Sequence, residues 1–136
     1  MTVNYLYGVG DDHHVWRTEP GMHGDWRRFT TGTKVNEILF HGDTMYGAGY
    51  SDYAVYQTSV ISGGSWTKVV DALSKEVTSL AYSNGYLFGV IYYEVWRTKP
   101  HGEWKKFIGC CVERIIIVGD IIYGTAQQAT GDKPEG

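Results

Sequence analysis

Proline and cysteine are nearly absent from this 136-residue chain, at three and two residues, and neither charge sign dominates. Two cysteines cannot build the disulfide framework of a small secreted scaffold. The pair, Cys110 and Cys111, are neighbours, and in an extended segment their side chains point to opposite faces. Free thiols in a reducing compartment are therefore expected, not a bond between them. No stretch approaches the roughly 18 apolar residues of a membrane-spanning helix; the longest apolar run is Ile115-Ile116-Ile117-Val118. The first residues, MTVNYLYGVG, lack the basic and apolar regions of a signal peptide, so a cytoplasmic location is expected. Twelve Lys and Arg against 15 Asp and Glu leave a net charge of −3. Phosphate binding needs clustered positive charge, and Trp26-Arg27-Arg28 and Trp104-Lys105-Lys106 are too short to supply it. Neither a nucleic acid nor a membrane is an expected partner.

Glycine, at 18 residues, and aromatics, at 15%, are abundant instead. Gly-punctuated, aromatic-rich sequence favours short strands and tight turns. The chain also repeats itself. Val15-Trp16-Arg17-Thr18 recurs as Val95–Thr98, and Val55-Tyr56-Gln57-Thr58 stands halfway between. A tryptophan follows each copy, at 26, 66 and 104. An aromatic–glycine pair precedes each, at Tyr7-Gly8, Tyr46-Gly47 and Phe88-Gly89, with a fourth at Tyr123-Gly124. Three markers in constant order at a period near 40 identify a repeat architecture.

Each repeat parses into four strands. In the third these are Glu76–Tyr82, Tyr86–Ile91, Glu94–Thr98 and Glu103–Ile108, with Ser83-Asn84-Gly85 as a hairpin signal. Corresponding turns fall at His41-Gly42-Asp43 and Val118-Gly119-Asp120, and no segment has useful helical periodicity. Four antiparallel strands per 40-residue unit predict an all-β fold, a β-propeller arc of about three four-stranded blades. The repeats run over about 3–34, 35–75 and 76–111. Closing strands lie at 112–127, within a single repeat domain of residues 1–128. Residues 129–136 read as a disordered tail. A β-trefoil, also three repeats of about 40 residues, is the alternative.

The segments 17–26 (RTEPGMHGDW), 57–66 (QTSVISGGSW) and 97–104 (RTKPHGEW) resemble the Asp-box hairpin of sialidase-like propellers, S/T-x-D-x-G-x-x-W. The Thr, the late Gly and the Trp are kept, while Pro or Val replaces the Asp. The rhythm LYGV…VWR…W is similar to that of tectonin and tachylectin-type propeller lectins. The likeness spans Tyr5 to Gln127. It implies strands labelled A (inner) to D (outer), in the chain order B-C-D, A-B-C-D, A-B-C-D, A-B. Three blades do not close a ring, which usually needs 4–8. A homodimer is expected, two arcs making six blades, each chain's last strands completing the other's first blade.

The Asp-box rim is structural in such families, so the resemblance places ligands at the opposite rim. Its loops carry Asp12, His13 and His14, then Tyr50, Asp52 and Tyr53, then Tyr92, Tyr93 and Glu94. Flat aromatics beside carboxylates suit a sugar: the ring covers its apolar face and the carboxylate accepts its hydroxyl hydrogen bonds. Arg17 and Arg97 recur with the fold and are expected to bind the hairpins. Together with Arg27, Arg28 and Arg114 they offer no arginine triad for a sialidase. Asp11-Asp12-His13-His14 could be weighed as a metal site, but adjacent residues seldom converge on one ion. No cofactor, metal or catalytic constellation is expected. The expected function is a non-catalytic, lectin-like module binding glycans multivalently, with a protein-assembly scaffold as the alternative. Asp-box-like propellers resembling photosystem assembly factors act in the latter way.

Overall fold

The computed structural model describes residues 4–21, 24–73 and 75–126; the segment read as a tail lies outside them. The described residues form thirteen strands and no helix. They fall into four sheets in chain order. The first holds β1 (Leu6–Val9), β2 (Val15–Thr18) and β3 (Arg27–Arg28). The second holds β4 (Val35–His41), β5 (Thr44–Gly49), β6 (Val55–Ser59) and β7 (Thr67–Val70). The third holds β8 (Val77–Ser83), β9 (Tyr86–Ile91), β10 (Glu94–Thr98) and β11 (Lys105–Ile108), and the last is the hairpin β12 (Val112–Val118) and β13 (Ile121–Ala126).

Within each sheet every strand pairs antiparallel with its neighbours in sequence. The expected order, three strands, then four, four and two, is the observed one. The protein is an all-β, propeller-like arc of successive meanders, not the barrel of a trefoil. Tight two-residue turns join A to B; Asn84 and Gly85, both at positive φ (53° and 84°), make one of them.

The repeat markers meet at the seams between sheets. In the second sheet a Cβ on Gly47 would lie 2.8 Å from Val35 Cγ1 and 2.9 Å from the Trp66 ring. In the third, a Cβ on Gly89 would lie 3.0 Å from Val77 Cγ1 and 2.9 Å from Trp104. Glycine is required there because an indole and an inner-strand valine close over the bare backbone. The aromatic beside each glycine points to the other face, as strand alternation dictates. Tyr46 joins the cluster holding Trp104, and Phe88 joins the one holding Ile115. The first two seams thus pack the Tyr side of one sheet on the Trp side of the next, and the third packs Phe88 on Ile115 of the last hairpin. The Thr of the first two repeats closes its C–D hairpin: Thr58 Oγ1 donates to the Gly63 or Ser65 carbonyl (3.2 and 2.9 Å). Thr18 Oγ1 donates to the Asp25 carbonyl (3.1 Å).

Each inner strand carries a bulge one residue in, at Asn36, Thr78 and Glu113, where the register shifts. An extra residue re-aims a side chain and increases twist.

Two expectations are corrected. The expectation that the Cys110 and Cys111 side chains diverge rested on an extended segment. The segment is a bend, not an extended strand, so the alternation argument does not apply. Among the described residues, Arg17 and Arg97 make no hydrogen bond to the hairpin turns. Arg17 lies over the rings of Tyr5 and Phe29 (3.8 and 4.4 Å), and Arg97 over Tyr86 and Phe107 (4.6 and 4.5 Å). A guanidinium is weakly hydrated and stacks well on aromatic faces, so these rings outcompete the turn carbonyls.

The seams predict a graded response to one substitution. Gly47→Ala and Gly89→Ala should each cost about 1–3 kcal/mol through overpacking. Gly8→Ala should be close to neutral, because its Cβ would sit 3.7 Å from Trp26 and meets no inner-strand valine. Urea denaturation of the three variants measures this directly.

Candidate functional site

The rim opposite the Asp-box-like hairpins is built by the B–C loops, residues 10–14, 50–54 and 92–93, and by the starts of the inner strands. One position recurs. His13, Tyr53 and Tyr93 each stand two residues before the first core valine of strand C, and all are left-handed, with φ of 64°, 66° and 67°. Aromatic side chains adopt that conformation at a cost. The β9–β10 turn concentrates it. Tyr92 (φ 51°) and Tyr93 make a two-residue hairpin turn with both central residues at positive φ. The chain uses Asn-Gly for the same turn class at the other rim. Two tyrosines instead, at a solvent-facing turn, serve display of their rings better than they serve the backbone.

The three carboxylates expected to receive sugar hydroxyls are already engaged. Asp12 Oδ1 accepts from Trp16 Nε1 and from the His14 backbone N–H, both at 3.1 Å, while Oδ2 pairs with Arg28 (3.3 Å). These bonds, the Trp16 contact first, hold the Asp12 carboxyl down at about 2. Asp52 accepts from the Ala54 N–H (3.3 Å) and, through a short bond, from the Tyr56 hydroxyl. Burial first, and then Asp52, push the Tyr56 hydroxyl up to about 12. Glu94 accepts from Trp96 Nε1 and pairs with Lys106, both at 3.2 Å. In each blade, then, an acid anchors the polar tip of the strand-C aromatic, and its role is to position that ring.

The nine expected site residues do not form one site. Asp12 lines a groove on the outer face of the first sheet, with Trp16 and Trp26. His13 stacks on Tyr50 across the first seam, ring centroids 3.7 Å apart. His14 is buried beneath that loop. Tyr53, Tyr92 and Tyr93 converge on an open cleft of about 570 Å³ shared with Lys75, Glu76, Thr78, Glu113 and Arg114. Asp52 and Glu94 stay with their own strand-C partners and do not line it.

These five charged or polar residues were missed because they come from the D–A connections and inner strands, not from the B–C loops. Thr78 and Glu113 are the bulge residues, turned toward the rim by the extra residue in the strand. Arg114 reaches Glu37 Oε2 (3.1 Å) on the inner strand two sheets away, and Glu76 accepts from Asn36 (3.1 Å). Lys75 Nζ lies 5.4 Å over the Tyr92 ring. The D–A loops share this rim with the B–C loops, and that shared rim was the available signal.

No protein-family model and no curated protein matches the chain. Solved structures do match in fold. One is the computationally designed Ika8 protein, with a TM-score of 0.64 and 13% identity over 96% of this chain. The chain spans 42% of that protein's length. Another is the computationally designed Ika4 protein, with a TM-score of 0.67 and 14% identity, covering 93% of this chain and 82% of that one. At such identities the likeness concerns the fold alone.

The Asp12–Trp16 bond has a measurable signature. Asp12 titrates below its usual range, so its ionised form stabilises the fold above about pH 4, and that contribution fades as pH falls through about 2. In Trp16→Phe the Asp12 carboxyl midpoint, followed by NMR, should rise toward 3.8, the ordinary value.

Proposed function

We propose that the chain is a non-catalytic, carbohydrate-binding propeller module whose glycan site is the cleft around Tyr53, Tyr92 and Tyr93. The observation that carries this reading is the Tyr92-Tyr93 turn: two aromatic rings held in left-handed backbone at a solvent-facing cleft, Tyr92 at 66% exposure. An exposed flat ring suits the apolar face of a pyranose, and the mixed charges beside it suit its hydroxyls. Glu113 and Thr78 take the hydrogen-bonding role, because Asp12, Asp52 and Glu94 are occupied with their own blades. Lys75 limits access to one side of Tyr92. An aromatic contact contributes about 0.5–1.5 kcal/mol beyond burial, so a single site binds weakly and several sites together bind usefully.

The scaffold alternative, in which the same rim docks a protein, draws on a different observation: the loops at 10–14, 50–54 and 92–93 differ in length and residues from blade to blade. The two readings separate on a glycan array at high protein density. Enrichment of a glycan class, lost by roughly 2- to 10-fold in affinity in Tyr92→Ala, is the expected result. A blank array, or binding indifferent to both Tyr92→Ala and Tyr93→Ala, would overturn the lectin reading.

A further inference from the structure

Both ends of the arc expose residues whose counterparts are buried at seams within it. Trp66 and Trp104 are 9% and 7% exposed, whereas Trp26, their counterpart on the first sheet, is 40% exposed. It borders a groove of about 680 Å³ with Gly8, Gly10 and Trp16, and Leu6 stands exposed on the same strand. Tyr46 and Phe88 are 5% and 6% exposed, whereas Tyr123, their counterpart on the last hairpin, is 53% exposed. Ile116, Val118 and Ile121 are exposed with it, cross-strand paired as Ile116 with Tyr123 and Val118 with Ile121. The other face of that hairpin, Val112, Ile115, Ile117 and Ile122, packs on the third sheet as usual. Among the described residues, one end therefore offers an unpartnered Trp side and the other an unpartnered Tyr side, the two halves of a single kind of seam.

We propose that a second copy of this chain covers both faces at once, the Tyr123 face of each copy stacking on the Trp26 face of the other. The contact is head-to-tail, a continuation of the seams already present. Two copies contribute eight sheets, within the span that closes propellers, whereas three would contribute twelve. The Ika8 likeness agrees in scale: this arc occupies 42% of that chain, leaving room for a second arc of its size. Closure by stacked faces leaves β1 on β2 and β13 on β12, and so avoids the surplus B strand that strand exchange between copies would create. The groove beside Asp12 then belongs to the interface and not to a ligand. The proposal does not rest on glycan binding, since its readout is mass.

Light scattering of the full chain after size exclusion should give about 30 kDa, twice the 15.3 kDa of one chain. Trp26→Glu and Tyr123→Lys should each give a single chain's mass with an unchanged circular dichroism spectrum; Ile116→Lys serves in place of Tyr123→Lys if that variant fails to fold. A head-to-tail contact adds a sharper expectation. Mixing the Trp26→Glu and Tyr123→Lys proteins leaves one seam intact and sets Glu against Lys in the other, so the dimer mass should return. A monomeric parent chain, an open ladder of masses, dimers that survive either substitution, or a mixture that stays monomeric would each overturn the proposal.

Discussion

The structure depends on one contact made at each complete seam: an indole and an inner-strand valine closing over a glycine. That glycine is the only residue that lets the outer-strand tryptophan reach across to the inner edge of its own sheet. The indole thereby covers one face of the sheet, and the aromatic beside the glycine, Tyr or Phe, meets the next sheet on the other. Buried area then accumulates seam by seam, and each sheet's stability is tied to its neighbour, as in any array where single repeats cannot bury their own faces. The clusters around Met45 and Trp66, around Leu87 and Trp104, and around Phe88 and Ile115 are that contact repeated, with the tryptophan missing from the last.

The rim follows from the same periodicity and departs from it where function is proposed. In each blade an acid fixes the tip of the strand-C aromatic, by Asp12 to Trp16, Asp52 to Tyr56 and Glu94 to Trp96. Once those acids are committed, free polarity at the rim has to come from elsewhere. The bulge one residue into each inner strand supplies it, turning Thr78 and Glu113 toward the tyrosines. The loops differ between blades in length and residue, so the cleft by Tyr92 and Tyr93 has no duplicate at the first seam, where His13 stacks on Tyr50.

Much of this was legible as sequence because repeats announce themselves in one dimension. The order of strands, the Asn84-Gly85 turn, the aromatic–glycine and tryptophan markers and the three strands described in the first sheet all follow from residues spaced near 40 apart. What misled was reasoning from isolated residue chemistry. Asp12 and Asp52 looked free because their partners Trp16 and Tyr56 lie four residues on, in the next strand, and only the loop geometry brings them together; Glu94 meets Trp96 two residues along its own strand. Arg17 and Arg97 looked like hairpin ligands because they recur beside the hairpins, yet they alternate to the opposite face and meet aromatic rings. Cys110 and Cys111 looked divergent because an extended strand was assumed where the chain bends.

Local chemistry and periodicity thus determined the fold class, the strand order and the residues at each seam, since those depend on alternation and on turn preference, which neighbouring residues set. Tertiary structure alone decided which acids are occupied, that Lys75, Glu76 and Glu113 share a cleft with Tyr92, and which two faces of the arc stay uncovered. Those outcomes depend on the curvature that stacked, bulged sheets impose on one another. That curvature is a property of the seams together and is written in no single repeat.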